Sequence, residues 1–284
     1  MSDPTSSLGT ESALRFDQVS LRFEDTVALD SISFELNAGE TRVVLGAAGS
    51  GKTTLLKAAI GLVRPDAGRI YLFGQEITHL REAQLFHIRS GVGVLFQEGG
   101  LFDSITVEEN VAYPLLNRTD HAATLQEVEG KVREALRFVE LEQTMEQYPS
   151  ELSGGMRRRV GIARAVVSEP PLVLYDSPTA GLDPITANTI MALIVKERDS
   201  KETANLIVTQ RYQDGQLMAN FRYNRSSGHL EPASKNGGAE SAGSNPTRTI
   251  FMVMKDGRVV FEGTQHELEA SHDEYVQKFV PKRS

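Results

Sequence analysis

The most regular pattern in the chain is the alternation of apolar and polar positions over residues 14–45, LRFDQVSLRFEDTVALDSISFELNAGETRVVL. Its β-branched and aromatic residues predict several strands, the last of them buried on both faces. Short apolar runs recur at GVGVLF, LVLY and LIVT, separated by segments of helical character. That order predicts parallel strands joined by crossover helices. Between Gln97 and about Glu169 the strand signals thin out, and Leu125, Val128, Val132, Leu136 and Val139 fall at helical spacing, which predicts a mostly helical insertion. Near the end, TIFMVMKDGRVVFEG reads as a hairpin turning at KDG. The final QHELEASHDEYVQKFVPKRS predicts a helix on the core or at a dimer interface, with Leu268, Tyr275 and Phe279 as core contacts. One stretch, RSSGHLEPASKNGGAESAGSNPTR over residues 225–248, is almost without large apolar side chains and predicts a disordered connection.

Composition narrows the class of protein. The 284 residues suffice for a substantial core, and 40% hydrophobic with 24% charged residues is ordinary for a globular domain. A net charge of −8 argues against broad nucleic-acid binding, which needs a basic face. The sequence has no cysteine, which excludes disulfides, thiolate nucleophiles and cysteine-based zinc sites. No run approaches the roughly 18 apolar residues of a membrane helix. The first residues, MSDPTSSLGTES, lack a basic-then-apolar signal, so a flexible N-terminus over 1–13 and a cytoplasmic location are expected.

The chemistry begins after the apolar run TRVVL, where GAAGSGKTT fills the pattern G-x-x-x-x-G-K-[ST] with Gly46, Gly51, Lys52 and Thr53. Backbone amides of such a loop curl around phosphate oxygens, and the helix that follows adds its positive end. Gly46, Gly49, Ser50, Gly51, Lys52, Thr53 and Thr54 are therefore the candidate phosphate-binding residues. Lys52 would reach the β- and γ-phosphates and the Thr53 hydroxyl would ligate Mg²⁺. Asp176, at the end of LVLY, would hold the same ion through its water shell.

A third motif, LSGGM at residues 152–156, resembles the signature of ATP-binding-cassette (ABC) ATPases, usually LSGGQ. The resemblance extends in order through GAAGSGKT, LFQ with Gln97, LSGGM, LVLYD and AGLD. It implies an α/β fold: a P-loop, RecA-like core with an antiparallel β subdomain and an α-helical subdomain carrying the signature. All of this would form one nucleotide-binding domain over 14–284, with the helical part at about 98–168. The resemblance further implies ATP and Mg²⁺ as ligands, Gln97 as a metal and catalytic contact, and Phe23 as a ring stacked on adenine or else a core residue. Ser153, Gly154 and Gly155 would face the γ-phosphate bound by a second cassette. The expected partners are that cassette, as homodimer or heterodimer, and an integral membrane permease gripping residues 98–113, which would hold the chain at the cytoplasmic face of the cell membrane. The Q-loop and signature regions are similar to those of Mla-type phospholipid-transporter ATPases, which implies lipid as cargo and a lipid-binding MCE-domain protein as a further partner. The run Arg157, Arg158, Arg159 reads as a solvated helix face or a phosphate or partner site.

Two positions depart from the family. Ser177 stands where a glutamate normally orients the attacking water, and Gln210 stands where a histidine contacts the γ-phosphate. A hydroxyl has no useful basicity near neutral pH, and an amide carries no positive charge. Lys52, Asp176, Ser177, Gln210 and Gln97 thus form a catalytic set with two substitutions, and tight ATP binding with slow hydrolysis is expected. Three arrangements suit that: a homodimeric lipid-transporter ATPase with another base, the degenerate half of a heterodimer, or an ATP-gated regulatory cassette without turnover.

Overall fold

The computed structural model describes residues 12–117, 124–233 and 248–281. In chain order its elements are β1 (Leu14–Phe23), β2 (Thr26–Leu36), β3 (Thr41–Gly46), α1 (Lys52–Ala59), β4 (Ala67–Leu72), β5 (Gln75–Glu76), α2 (Glu82–Arg89) and β6 (Val92–Leu95). The helical stretch follows with α3 (Val107–Leu116), α4 (Leu125–Phe138) and α5 (Gly154–Val166). The chain then returns through β7 (Leu172–Asp176), α6 (Pro184–Lys201), β8 (Ala204–Thr209) and α7 (Tyr212–Asn220). Last come β9 (Phe221–Asn224), β10 (His229–Pro232), β11 (Thr249–Lys255), β12 (Arg258–Gly263) and α8 (Gln265–Ala270).

Two main sheets result. The larger runs β12-β11-β3-β8-β7-β6, parallel from β11 to β6, and the smaller is the antiparallel β2-β1-β4-β5. Strands β3, β7 and β8 are buried at every residue, as expected of strands covered on both faces. Strands β1 and β2 bury mainly one face, where Phe16 stacks on Phe34 with ring centroids 4.8 Å apart. The KDG turn is a two-residue hairpin loop with Asp256 and Gly257 both at positive φ, the twist that suits β11 and β12. At the carboxyl ends of β3, β7 and β8 the chain turns into loops and helices, so these three strands bring residues 46, 176 and 209 to one edge of the sheet, where ligands of open α/β sheets bind.

Several expectations need correction. Leu125 begins α4 and is 81% exposed, whereas Val128, Val132, Leu136 and Val139 are buried. Ala13, expected within a flexible N-terminus over 1–13, is buried and its carbonyl accepts from the Phe73 amide, while residues 1–11 lie outside the described ones. Within 225–248, expected to be disordered, residues 225–233 complete a hairpin of β9 and β10, and 234–247 lie outside the described residues. The hairpin forms because the C-terminal end of α6 supplies its partners. The Tyr223 amide donates to Asp199 Oδ2, and Arg225 donates to the carbonyls of Asp199 and Ser200. Local composition cannot show such long-range partners. Leu268 on α8 and Val276 beyond it are buried against Val43 and Phe251, with Tyr275 and Phe279 packed beside them.

Candidate nucleotide site

The loop between β3 and α1 is built so that side chains cannot intrude. A Cβ on Gly51, at φ +99°, would lie 2.3 Å from the Ala28 carbonyl, and one on Gly46 would lie 2.4 Å from Ser50 Oγ. Only glycine fits either place, and the amides at the start of α1 stay open to an anion. Lys52 folds over this loop: its Nζ donates to the carbonyls of Gly46 at 2.8 Å and Ala47 at 2.7 Å and to Ser50 Oγ at 3.2 Å. Burial pulls the Lys52 pKa down, and the Asp176 carboxylate opposes that. Its ammonium is thus held by carbonyl and hydroxyl oxygens, which phosphate oxygens can replace.

Two of the three metal-ligating candidates, Thr53 and Asp176, meet where α1 begins and β7 ends. Thr53 Oγ1 donates to Asp176 Oδ2 at 3.1 Å, joining the first turn of α1 to the end of β7. Ser177 Oγ donates to the other oxygen, Asp176 Oδ1, at 3.0 Å. Among the described residues no cluster of three or more His, Asp or Glu exists for a metal. One carboxylate and one hydroxyl beside phosphate oxygens fit Mg²⁺, which keeps waters and shares its shell with substrate, better than an all-protein cage would.

The remaining candidates surround this centre without bonding to it. Gln97 is exposed in the turn after β6, and Gln210 is exposed in the turn after β8. The turn holding Gln210 is itself rigid: Thr179 Oγ1 and Thr209 Oγ1 both donate to the buried Asp214, and the Arg211 amide donates to Thr209 Oγ1. Burial raises the Asp214 pKa, and the two hydroxyls work against that. Thr54 is half-buried on α1. Phe23, at the end of β1, is 50% exposed, so the core reading of this ring is wrong and an exposed platform remains.

The signature turn is open to solvent. Ser153 caps α5 by accepting from the Met156 amide at 3.2 Å, Ser153 and Gly154 are exposed, and a Cβ on Gly155 would lie 2.7 Å from Thr186 Cγ2. The arginine run after it is no solvated face. Arg157 donates to the Leu152 carbonyl and Arg159 to the Val139 carbonyl, and Arg158 is buried against the carbonyls of Ser177, Pro178 and Ala180. Sequence reasoning named Arg158 without its burial and did not name Asp214, because other elements of the chain supply the partners that bury them.

Fold and cradle together define a P-loop nucleotide-binding cassette. The family model described as ABC transporter matches residues 29–180, and the chain belongs to that family. The intermembrane phospholipid transport system ATP-binding protein MlaF of Haemophilus influenzae is 30% identical over 256 residues, 90% of this chain and 85% of that protein. The methionine import ATP-binding protein MetN of Carboxydothermus hydrogenoformans is 40% identical over 182 residues, 64% of this chain and 53% of its own length. A probable ribonucleotide transport ATP-binding protein of Mycobacterium leprae is 39% identical over 180 residues, 63% and 51% respectively. The chain therefore spans about half the length of these last two relatives. Among solved structures, a dimeric post-hydrolysis state of the ATP-binding cassette MJ0796 bound to ADP and Pi matches with TM-score 0.72 and 27% identity, covering 88% of this chain and 97% of that one. The cassette cbiO1 from Clostridium perfringens, part of an ABC transporter complex, matches with TM-score 0.73 and 25% identity, covering 95% and 94%.

Proposed function

We propose that the chain is the ATP-binding subunit of a membrane transporter, that it dimerises around ATP and Mg²⁺, and that its own hydrolytic step is slow. The observation that carries the reading is the use made of Ser177: its hydroxyl is donated to the candidate metal carboxylate, and no carboxylate stands at that position to accept a proton from water. Lys52 would pass from the Gly46 and Ala47 carbonyls to phosphate oxygens, and the open amides of the loop would hold the rest of the phosphate chain. Mg²⁺ held by Thr53 and Asp176 would neutralise charge that develops on the phosphates. Gln97 and Gln210 would contact the metal water and the γ-phosphate, and Phe23 would stack on the base. The exposed turn of Ser153, Gly154 and Gly155 would close the site of a second cassette. Positioning and electrostatics account for most of phosphoryl transfer, so part of the rate survives without a base.

Phospholipid is the cargo supported best, because the MlaF relative aligns along nearly the whole of both chains, whereas the methionine and ribonucleotide relatives align over half of theirs. A lipid-binding MCE-domain partner follows from the same relative. Phe96, Phe102 and Tyr113 are each more than 40% exposed, and Phe102 packs on Tyr113 at 4.8 Å. Of these rings, Phe102 and Tyr113 offer a permease a firm apolar surface within residues 98–113, which would place the chain at the cytoplasmic side of the membrane.

The test is steady-state ATPase activity of the chain purified with its permease, compared with Ser177→Glu and with Ser177→Glu, Gln210→His. The expected result is slow turnover in the wild type and at least a tenfold gain in the double variant, consistent with the hundredfold scale of general-base catalysis. Brisk wild-type turnover, with no gain in either variant, overturns the slow-hydrolysis reading. Rapid turnover only when a second, different cassette is added favours the heterodimer instead. Failure of the complex to move labelled phospholipid between vesicles overturns the cargo.

A further inference from the structure

Arg158 is a buried cation whose three acceptors are all neutral. It lies in the first turns of α5, is 6% exposed, and donates to the carbonyls of Ser177 at 3.2 Å, Pro178 at 2.6 Å and Ala180 at 3.0 Å. Burial pulls its pKa down, while the charges of Glu98 and Asp176 oppose that. Keeping a charge out of water to bind carbonyls alone is costly. The planar fork of five N–H donors is what arginine brings to such a place and a neutral side chain does not.

The loop that Arg158 holds is itself under constraint. Ser177 has φ +49°, left-handed backbone that residues with a Cβ seldom adopt and that persists only where the surroundings impose it. Three contacts impose it here. The Ser177 amide donates to the Val208 carbonyl at 2.8 Å, the Ala180 amide donates to the Ser177 carbonyl at 3.1 Å, and Arg158 donates to that same carbonyl. The consequence is the direction of the side chain, which turns to Asp176.

On its other side α5 abuts the turn after Gln97. A Cβ on Gly99 would lie 2.9 Å from the Arg157 carbonyl, and Arg164 donates to the Gly99 carbonyl at 3.0 Å. Three segments that would respond to nucleotide are therefore joined through α5: the turn at 97–99 lies against Arg157 and Arg164, and the loop at 177–180 is held by Arg158.

We propose that Arg158 is a positioning residue for ATP hydrolysis: it imposes the left-handed backbone of residue 177, and with it the direction of the side chain beside Asp176, and makes both depend on the placement of the signature helix. The proposal rests on the ATPase reading above. It acts through residue 177 and requires no contact with nucleotide or metal.

The experiment introduces Arg158→Gln and Arg158→Lys into the full-length Ser177→Glu chain and measures kcat, the KM for ATP, thermal stability and amide hydrogen exchange. Arg158→Gln is expected to lower kcat at least tenfold with KM within twofold, and Arg158→Lys to recover part of the loss. In the otherwise wild-type chain, Arg158→Gln is expected to speed exchange of the amides of Ser177 and Ala180 at least tenfold, with β7 and β8 unchanged. Unchanged exchange in that loop overturns the proposal. So does a parallel loss of kcat, ATP affinity and thermal stability, which marks a general brace. Should Ser177→Glu itself stay silent, the hydrolysis reading falls, and the exchange measurement alone upholds or overturns the placement of residue 177 by Arg158.

Discussion

Glu197 shows how much one side chain can depend on the fold around it. It is 3% exposed on α6, where burial pushes its pKa up to about 7 against the pull of the Thr203 hydroxyl, Lys201 and Arg198. Its Oε2 and the buried Tyr175 hydroxyl both lack a hydrogen-bond partner among the described residues. A carboxyl whose pKa is raised by folding binds its proton more tightly in the native state, so stability falls as pH rises from the ordinary carboxylate range to about 7 and is level above that. The total is about 3 kcal/mol. Replacement Glu197→Gln is therefore expected to flatten the pH dependence between about 4.5 and 7 and to raise the melting temperature at pH 8 more than at pH 5, which thermal unfolding across pH would show. An unchanged pH slope contradicts it. Glu197 and Arg158 were both illegible in the sequence, since a charged residue in a helical segment reads as solvent-facing until other elements are known to cover it. Lys52 and Thr53 were legible because glycine spacing and backbone chemistry alone define their surroundings.

At the scale of elements, the end of α6 is the joint on which the late part of the chain is hung. Arg198 is 4% exposed, pairs with Asp199 at 2.7 Å, and donates to the carbonyls of Met218 and Phe221, which close α7 and open β9. Replacement Arg198→Met keeps the bulk and removes every donor, leaving two carbonyls and a carboxylate short of partners. The expected cost is about 3 kcal/mol, read as a lower urea midpoint at unchanged slope. A loss under about 0.5 kcal/mol would show that water replaces the arginine. This joint also explains residues 225–233, the described part of the stretch expected to be disordered. Its composition has too little apolar surface to fold by itself, yet residues 225–233 order as a hairpin because α6 accepts their hydrogen bonds and Leu230 packs on the helical core. The strands of the large sheet were plain from their apolar runs, since a strand buried on both faces carries the same signal wherever it is placed.

At the scale of the whole molecule, the cradle joins separate parts of the chain, so ligand should hold them together. The Thr53 to Asp176 contact joins α1 to β7, Lys52 ties α1 to Gly46 at the end of β3, and the Tyr275 hydroxyl accepts from the Ala47 amide and donates to the Met254 carbonyl. Saturating ATP with Mg²⁺, at about a hundred times its dissociation constant, is expected to stabilise the chain by about 2.7 kcal/mol. That is a rise of roughly 5–10 °C in melting temperature. EDTA should remove more than half of the rise, and Lys52→Ala should abolish it; a rise that ignores both would place ATP elsewhere. The sequence by itself determined the class of fold, the phosphate loop and the order of the motifs, because each follows from local periodicity or from backbone geometry that only particular residues permit. Only the tertiary structure decided that Ser177 is turned to Asp176, that Arg158 and Asp214 are buried ties rather than surface charges, and that Phe23 stands clear of the core. Those outcomes depend on which distant elements cover a residue and which carbonyls they present to it, and neither is a property of the local chain.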